Sequence, residues 1–209
     1  MLRTLAFSEL IRLIGVLQTK EKLIILDRDG VINQDSDDFI KSPEEWHALP
    51  GSLEAIGELS SAGYKIYILT NQSGIARQYF SLQILERIHN KLIDQASQYG
   101  GTIDGIYFCP HGPNDNCDCR KPLTGLYRQL LDDLNQHRER PITSFNNVPS
   151  IGDSIRDLQA AKTAGAVPVL VKTGKGLKSK ASLDNNPVQG LENIPCFESL
   201  ADYVNHLLH

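Results

Sequence analysis

The chain has 209 residues, 41% of them hydrophobic and 22% charged, with a formal net charge of −4. That length and apolar content suit one globular domain with a substantial core. The acidic balance argues against a dedicated nucleic-acid binder, whose footprint is basic, and no apolar run approaches the ~20 residues of a membrane span.

In residues 1–20, Leu5, Leu10, Leu13, Ile14 and Leu17 recur at helical spacing, while Ser8, Glu9 and Arg12 interrupt the apolar character. No small-residue cleavage site follows, so a short amphipathic helix is expected there rather than a targeting segment. This N-terminal extension precedes a single domain expected over residues 21–209, in a soluble, cytoplasmic and monomeric protein.

From there, apolar runs bounded by turns alternate with helical patterns. "LIIL" (Leu23–Leu26) reads as a buried strand ending at Asp27. A helix is expected from Ser52 to Gly63, and "YKIYILT" (Tyr64–Thr70) is the second strand. Ser81 caps a longer helix with Leu82, Leu85, Ile88, Leu92 and Ala96 on one face, stopped by Gly100-Gly101. "IDGIYFC" (Ile103–Cys109) is a third strand and Gly125–His137 a helix. "SIGD" (Ser150–Asp153) closes a fourth strand, "SIRDLQAAKTAG" (Ser154–Gly165) is a helix, and "VPVLVKTG" (Val167–Gly174) a fifth strand. "KTGKGLKSK" (Lys172–Lys180) reads as a solvated basic loop, and Glu198–Leu208 as a final helix.

This alternation predicts a doubly wound α/β domain with a mostly parallel sheet, whose ligands bind beyond the carboxyl ends of the strands. Asp27-Arg28-Asp29, Thr70-Asn71, Cys109-Pro110-His111 and Gly152-Asp153 all fall at strand ends. Polar chemistry on one edge reads as an active-site rim. Asp27 and Asp29 share one side of an extended chain, although Asp is also common in turns and helix caps. Three converging carboxylates, with Asp153 as the third, repel one another unless a cation joins them, and hard oxygen ligands favour Mg²⁺.

The loop "FCPHGPNDNCDCRKP" (Phe108–Pro122) carries Cys109, His111, Cys117 and Cys119 in the pattern C-x-H-x₅-C-x-C. Without a secretion signal a disulfide is disfavoured. A Cys₃His zinc site fits in ligand type and count and leaves no coordination position open, which makes it structural. Zinc would supply folding energy that a loop rich in Gly, Pro, Asn and Asp lacks, and would fix the backbone beside Arg120 and Lys121. Cys196 reads as a small buried apolar residue.

In this order, at successive strand ends, "DRDGVIN", "TNQSG", "RKP" and "GDSIRD" resemble the four motifs of the haloacid dehalogenase phosphatases. The resemblance implies that fold, Asp27 as the nucleophile forming an aspartyl-phosphate, and Asp29 as general acid and then base. It implies Thr70 and Lys121 as phosphate ligands. It also implies Mg²⁺ held by Asp27, the Asp29 backbone carbonyl and Asp153, with Asp157 in support. The zinc loop, "TNQSGIAR" and "CRKP" narrow the resemblance to the branch acting on heptose 1,7-bisphosphate in bacterial heptose precursor synthesis (lipopolysaccharide core or related glycan). The implied reaction removes the 7-phosphate from this small-molecule sugar bisphosphate. A related branch, the histidinol-phosphate phosphatases, shares the acidic motifs and a zinc loop, but roughly "TNQDG" is expected there.

The segments between motifs are too short for a large cap domain, so Gln34–Trp46 and Gln72–Phe80 must cover the substrate. Candidate sugar contacts are Asp35, Ser36, Asp37 and Asp38, against the reading of a solvated acidic turn, together with Thr70, Asn71, Gln72 and Ser73. Arg120 offers a planar fork to a second phosphate or a hydroxyl-rich ligand. Ser154 stands where Lys is often found in the family, and Gln78 where Gly is usual. A non-catalytic zinc-dependent binding module is the reading from another class; Asp27, Asp29, Lys121 and Asp153 together count against it.

Overall fold

The computed structural model describes residues 21–136, 138, 139 and 141–209. The expected helix within residues 1–20 lies outside the described residues. Six strands form one sheet: β1 (Lys22–Leu26), β2 (Tyr64–Asn71), β3 (Gly105–Cys109), β4 (Pro149–Gly152), β5 (Val167–Val171) and β6 (Cys196–Phe197). They stand in the order β3-β2-β1-β4-β5-β6, and every neighbouring pair is parallel. Among the described residues six helices connect and cover them: α1 (Ser52–Ser61), α2 (Leu82–Gln98), α3 (Gly125–Asn135), α4 (Ile155–Thr163), α5 (Gly176–Asn185) and α6 (Leu200–Leu208). Among the described residues no cap domain is inserted into this core.

The period-two alternation of the strands builds two cores. Ile24 and Leu26 face one side with Ile66, Ile68 and Val169, under Ile56 and Leu59 of α1, Ile88 and Leu92 of α2, and Val204 of α6. Leu23 and Ile25 face the other, with Leu69, under Leu126 and Leu130 of α3 and Ala160 of α4. A fully buried side chain of this kind contributes about 1.5–3 kcal/mol. With both faces covered, the strands read as unbroken apolar runs, as parallel sheets do.

The expected elements are present, with ends shifted by one to three residues. Ser81 caps α2, its hydroxyl accepting from the Ile84 N–H. The largest differences lie near the C-terminus. The segment read as a basic loop becomes the start of α5, whose Leu183 packs on Leu158 of α4 and Leu170 of β5. A sixth strand of two residues pairs Cys196 with Leu170. Cys196 is half-buried there rather than enclosed.

The strand order reverses between β1 and β4, so Asp27 and Asp153 emerge side by side at the crevice where doubly wound sheets bind ligands.

Candidate active site

Beyond the carboxyl ends of β1, β2 and β4 opens a cleft of about 300 Å³, bordered by Asp27, Asp29, Thr70, Lys121, Asp153 and Asp157. At its floor Lys121, 3% exposed, donates from Nζ to Asp27 Oδ1 at 2.9 Å and to the Leu69 carbonyl at 2.7 Å. The same ammonium lies 2.6 Å from Asp157 Oδ1. Burial works against the charge on Lys121, but the carboxylates of Asp157 and Asp27 outweigh it and hold its pKa well above the usual value. The backbone of Lys121 is itself held by the Asn71 side chain, which donates to its carbonyl and accepts from its N–H.

Asp27, Asp153 and Asp157 bring one oxygen each to within 4.8 Å of one another. Burial, and then the neighbouring carboxylates, push Asp153 up to about 8. Burial also drives Asp27 up to about 7, with Lys121 opposing and Asp157 and Asp29 adding to the rise. Carboxylate oxygens this close, with Asp27 and Asp153 raised by the crowding, offer hard donors suited to a divalent cation. Asp153 is gripped tightly. A Cβ on Gly30 (φ +81°) would meet its Oδ2 at 2.1 Å and one on Gly174 (φ +56°) at 2.2 Å, and Lys175 N–H donates to that oxygen at 2.7 Å.

Asp29 has a different environment. Its carboxylate turns to Arg28, with Nη2 at 2.9 Å from Oδ1 and 3.0 Å from Oδ2, and it also accepts from Asn33 and Gln72. Burial would raise its pKa, but the Arg28 charge and these hydrogen bonds prevail and hold it below the usual carboxylate range. The side chain stands outside the Asp27–Asp153–Asp157 group.

The residues expected to cover the substrate divide. The segments 34–46 and 72–80 do meet: the Phe39 and Tyr79 rings are 5.1 Å apart edge-on, and the Arg77 guanidinium sits 5.8 Å from the Phe39 ring. Asp35, Ser36 and Asp37 line the cleft with Thr70, Gln72 and Ser73, while Asp38 does not. Asp35 is paired with Lys175 at 2.6 Å, and the Asp37 side chain is 98% exposed. Asn71 and Ser154 line the cleft too, but their side chains are committed inward, Asn71 to Lys121 and the Ser154 hydroxyl to Asp157. Arg120 borders the cleft and donates to the His111 carbonyl at 3.2 Å. Burial first, and then the charges of Arg156 and Arg77, lower its pKa.

Three cleft residues, and one just behind them, escaped the sequence reading in this role. Arg77 was visible only as a letter of motif two, and Lys175 was assigned to a solvated run. Arg156 stands on the exposed side of the first turn of α4, where an arginine carries no distinctive signal. Arg28 lies between two carboxylates and has the look of a surface residue, yet it is 1% exposed.

At the end of β3, Cys109, His111, Cys117 and Cys119 bring their ligand atoms within 4.8 Å of one another. Sulfurs around a tetrahedral zinc with bonds of about 2.3 Å lie about 3.7–3.8 Å apart. Cys109 and Cys117 are separated by 3.7 Å, and His111 Nδ1 lies 3.6 Å from Cys109 and 3.2 Å from Cys119. The donor set fits zinc.

Comparison with known proteins agrees with this geometry. A family model described as HAD-hydrolase-like matches residues 118–195. D-glycero-β-D-manno-heptose-1,7-bisphosphate 7-phosphatase of Bordetella bronchiseptica is 53% identical over 160 residues, covering 77% of this chain and 86% of the relative. The enzyme of that name from Neisseria meningitidis serogroup A is 44% identical over 187 residues, covering 90% and 95%. The crystal structure of D,D-heptose 1,7-bisphosphate phosphatase from B. bronchiseptica complexed with magnesium and phosphate superposes with a TM-score of 0.81 at 48% identity, over 90% of this chain and 98% of that one. Among the described residues no helix is long and apolar enough to cross a membrane.

Proposed function

The chain belongs to the D-glycero-β-D-manno-heptose-1,7-bisphosphate 7-phosphatase family of haloacid dehalogenase-like hydrolases, and on that premise we propose that it releases the 7-phosphate of a heptose 1,7-bisphosphate through an aspartyl-phosphate on Asp27. The observation that carries the reading is the contrast between two carboxylates two residues apart. Asp27 is bound by Lys121 at the cleft floor, and Asp29 is clasped by Arg28 at its side.

Asp27 attacks phosphorus while the bond to the sugar oxygen breaks, and Asp29 gives that oxygen a proton that it must first take up against the pull of Arg28. Asp29 then takes a proton from the water that opens the acyl phosphate, which frees phosphate and restores Asp27. Acid–base help of this kind supplies about 10²–10⁴ in rate. Lys121 and the Thr70 hydroxyl stabilise the charge spread over the phosphoryl oxygens, and Asp157 keeps Lys121 charged and in place. Mg²⁺ held by Asp27, Asp153 and the Asp29 backbone carbonyl would offset the repulsion between the anionic nucleophile and the phosphoryl group. Zinc held by Cys109, His111, Cys117 and Cys119 would brace the loop that carries Arg120 and Lys121. Arg120 and its neighbour Arg156 form the cationic rim for the second phosphate, and Ser36 and Ser73 contact sugar hydroxyls. The protein acts in the cytoplasm as a monomer.

The test is a steady-state comparison of heptose 1,7-bisphosphate with histidinol phosphate, with Mg²⁺ present. Preference for the bisphosphate in kcat/KM is expected; preference for histidinol phosphate would overturn the substrate assignment.

A further inference from the structure

The cations that border the cleft divide by their partners. Lys121 is paired with Asp27 and Asp157, and Lys175 with Asp35. Among the described residues no carboxylate is paired with Arg77, Arg120 or Arg156. Arg120 spends a donor on the His111 carbonyl. Arg77 is held in another way.

The Arg77 guanidinium lies over the Phe39 ring, 5.8 Å from its centroid, and Tyr79 meets the same ring edge-on at 5.1 Å. Phe39 belongs to segment 34–46 and its two partners to segment 72–80, so the stack joins the two segments that cover the substrate. Phe39 and Arg77 both border the cleft. Left-handed backbone flanks the stack on each side: Phe39 has φ +66°, and Gln78, directly after Arg77, has φ +59°. Glycine takes such angles freely. A bulky aromatic residue takes them only where its surroundings demand it, and strain of this kind gathers at ligand sites. The Phe39 N–H donates to the Ser36 carbonyl at 3.1 Å, which closes the turn that presents the ring.

Resting on the reading of the substrate as a sugar bisphosphate, we infer that Arg77 is a specificity-determining residue that binds the second phosphate beside Arg120. Phe39 is the positioning residue that holds it there. A ring against the face of a guanidinium leaves the N–H donors around its edge free, so the stack uses none of the bonds an anion would take. A planar fork offers a phosphate two parallel bonds. Without the ring, a long exposed side chain would have to give up its rotamer freedom each time the substrate bound. The stack removes part of that cost beforehand.

The test uses two substrates that differ by one group: heptose 1,7-bisphosphate, and the same heptose carrying only the 7-phosphate. Arg77 is exposed, so replacing it leaves the core untouched. Arg77→Met keeps a long side chain on the ring and removes the charge. It is expected to lower kcat/KM for the bisphosphate by about tenfold, the scale of one charge-assisted hydrogen bond, and for the monophosphate far less. Phe39→Leu removes the ring and keeps apolar bulk. It should shrink the preference for the bisphosphate by about threefold, the worth of an exposed cation–π contact. Phe39→Tyr keeps the ring and should restore the wild-type preference.

A stack that merely ties the two segments together would lower both substrates alike. Equal losses in Arg77→Met, or no loss with either substrate, therefore overturn the assignment. A split in Arg77→Met without one in Phe39→Leu overturns the positioning role of Phe39. If the wild type hydrolyses the bisphosphate without preferring it to the monophosphate, no residue reads the second phosphate, and the inference fails while the reaction stands. If it hydrolyses neither, the reaction itself is misassigned and the inference falls with it.

Discussion

Asn71 holds the backbone of Lys121 from both sides, donating to its carbonyl at 3.1 Å and accepting from its N–H at 3.0 Å. The end of β2 is thereby fastened to the loop that delivers the ammonium to Asp27. Replacing Asn71 by Leu removes both bonds and strands two backbone groups beside the cleft, each of which costs about 1–3 kcal/mol if left unpaired. We expect lower stability in denaturant and a fall in kcat with both sugar and aryl phosphates, since Lys121 serves either. Unchanged kcat in Asn71→Leu would show that Lys121 is held by its ion pairs alone.

Asp27→Asn keeps the shape of the nucleophile and removes its charge. Turnover should disappear while phosphate-ester binding persists, measured by steady-state assay and by calorimetric titration with a slowly cleaved ester. Appreciable turnover in this variant, with deamidation excluded by mass spectrometry, would mean that water rather than Asp27 attacks phosphorus.

The cysteine loop has little core of its own. Cys109 and Cys119 pack into the second core cluster, while most of residues 113–118 are exposed. Purified protein should carry about one tightly held zinc per chain. Cys117→Ala should lower the metal content and the thermal midpoint together, with activity following because Arg120 and Lys121 lose their anchor. Metal analysis that finds no zinc, with all three loop cysteines alkylated in native protein, would remove the site.

Much of this was legible because three of the four motifs sit at the end of a buried strand, where an apolar run stops at a carboxylate or an amide; the one with Lys121 lies instead in the loop between β3 and α3. Asp27, Asp153 and the C-x-H-x₅-C-x-C loop announce themselves by type and spacing. The misses have physical causes. α5 begins between Gly174 and Lys180, where lysines mask a helix that meets the core chiefly through Leu183. β6 is two residues long and has no room for a period. The burial of Arg28 depends on Gln72, just past β2, and His89 of α2, both far away in the chain, and local pattern does not report that.

His89 also makes stability depend on pH. Its folded pKa of about 3 lies below the ordinary 6.5, so between these values the unfolded chain takes a proton that the folded chain refuses. The stability it contributes is complete above pH 6.5 and is lost as pH falls toward 3, amounting to about 2 kcal/mol by pH 5. Asp27 and Asp153 shift in the opposite sense, but they are common to wild type and variant. On going from pH 7 to pH 5 the denaturant midpoint should therefore fall further, or rise less, in wild type than in His89→Gln. Equal differences would mean that His89 is charged in the folded protein.

The last expectation concerns which phosphate leaves. The nucleophile lies at the floor of the cleft, between Lys121 and Asp153. A primary phosphate at the end of a flexible carbon reaches that depth more easily than one fixed to the anomeric ring carbon. The second phosphate then falls at the rim, where Arg120 and Arg156 lie close enough for their charges to repel. An anion between two such guanidiniums relieves that repulsion and forms charge-assisted hydrogen bonds. Binding energy from this remote group helps orient the reacting one, so its loss should hurt turnover as well as binding. Phosphorus NMR of the reaction should show the 7-phosphate released and the 1-phosphate retained. Arg120→Ala should penalise the bisphosphate far more than p-nitrophenyl phosphate, which has no second phosphate to lose. Release of the anomeric phosphate first would reverse the orientation of the sugar in the cleft.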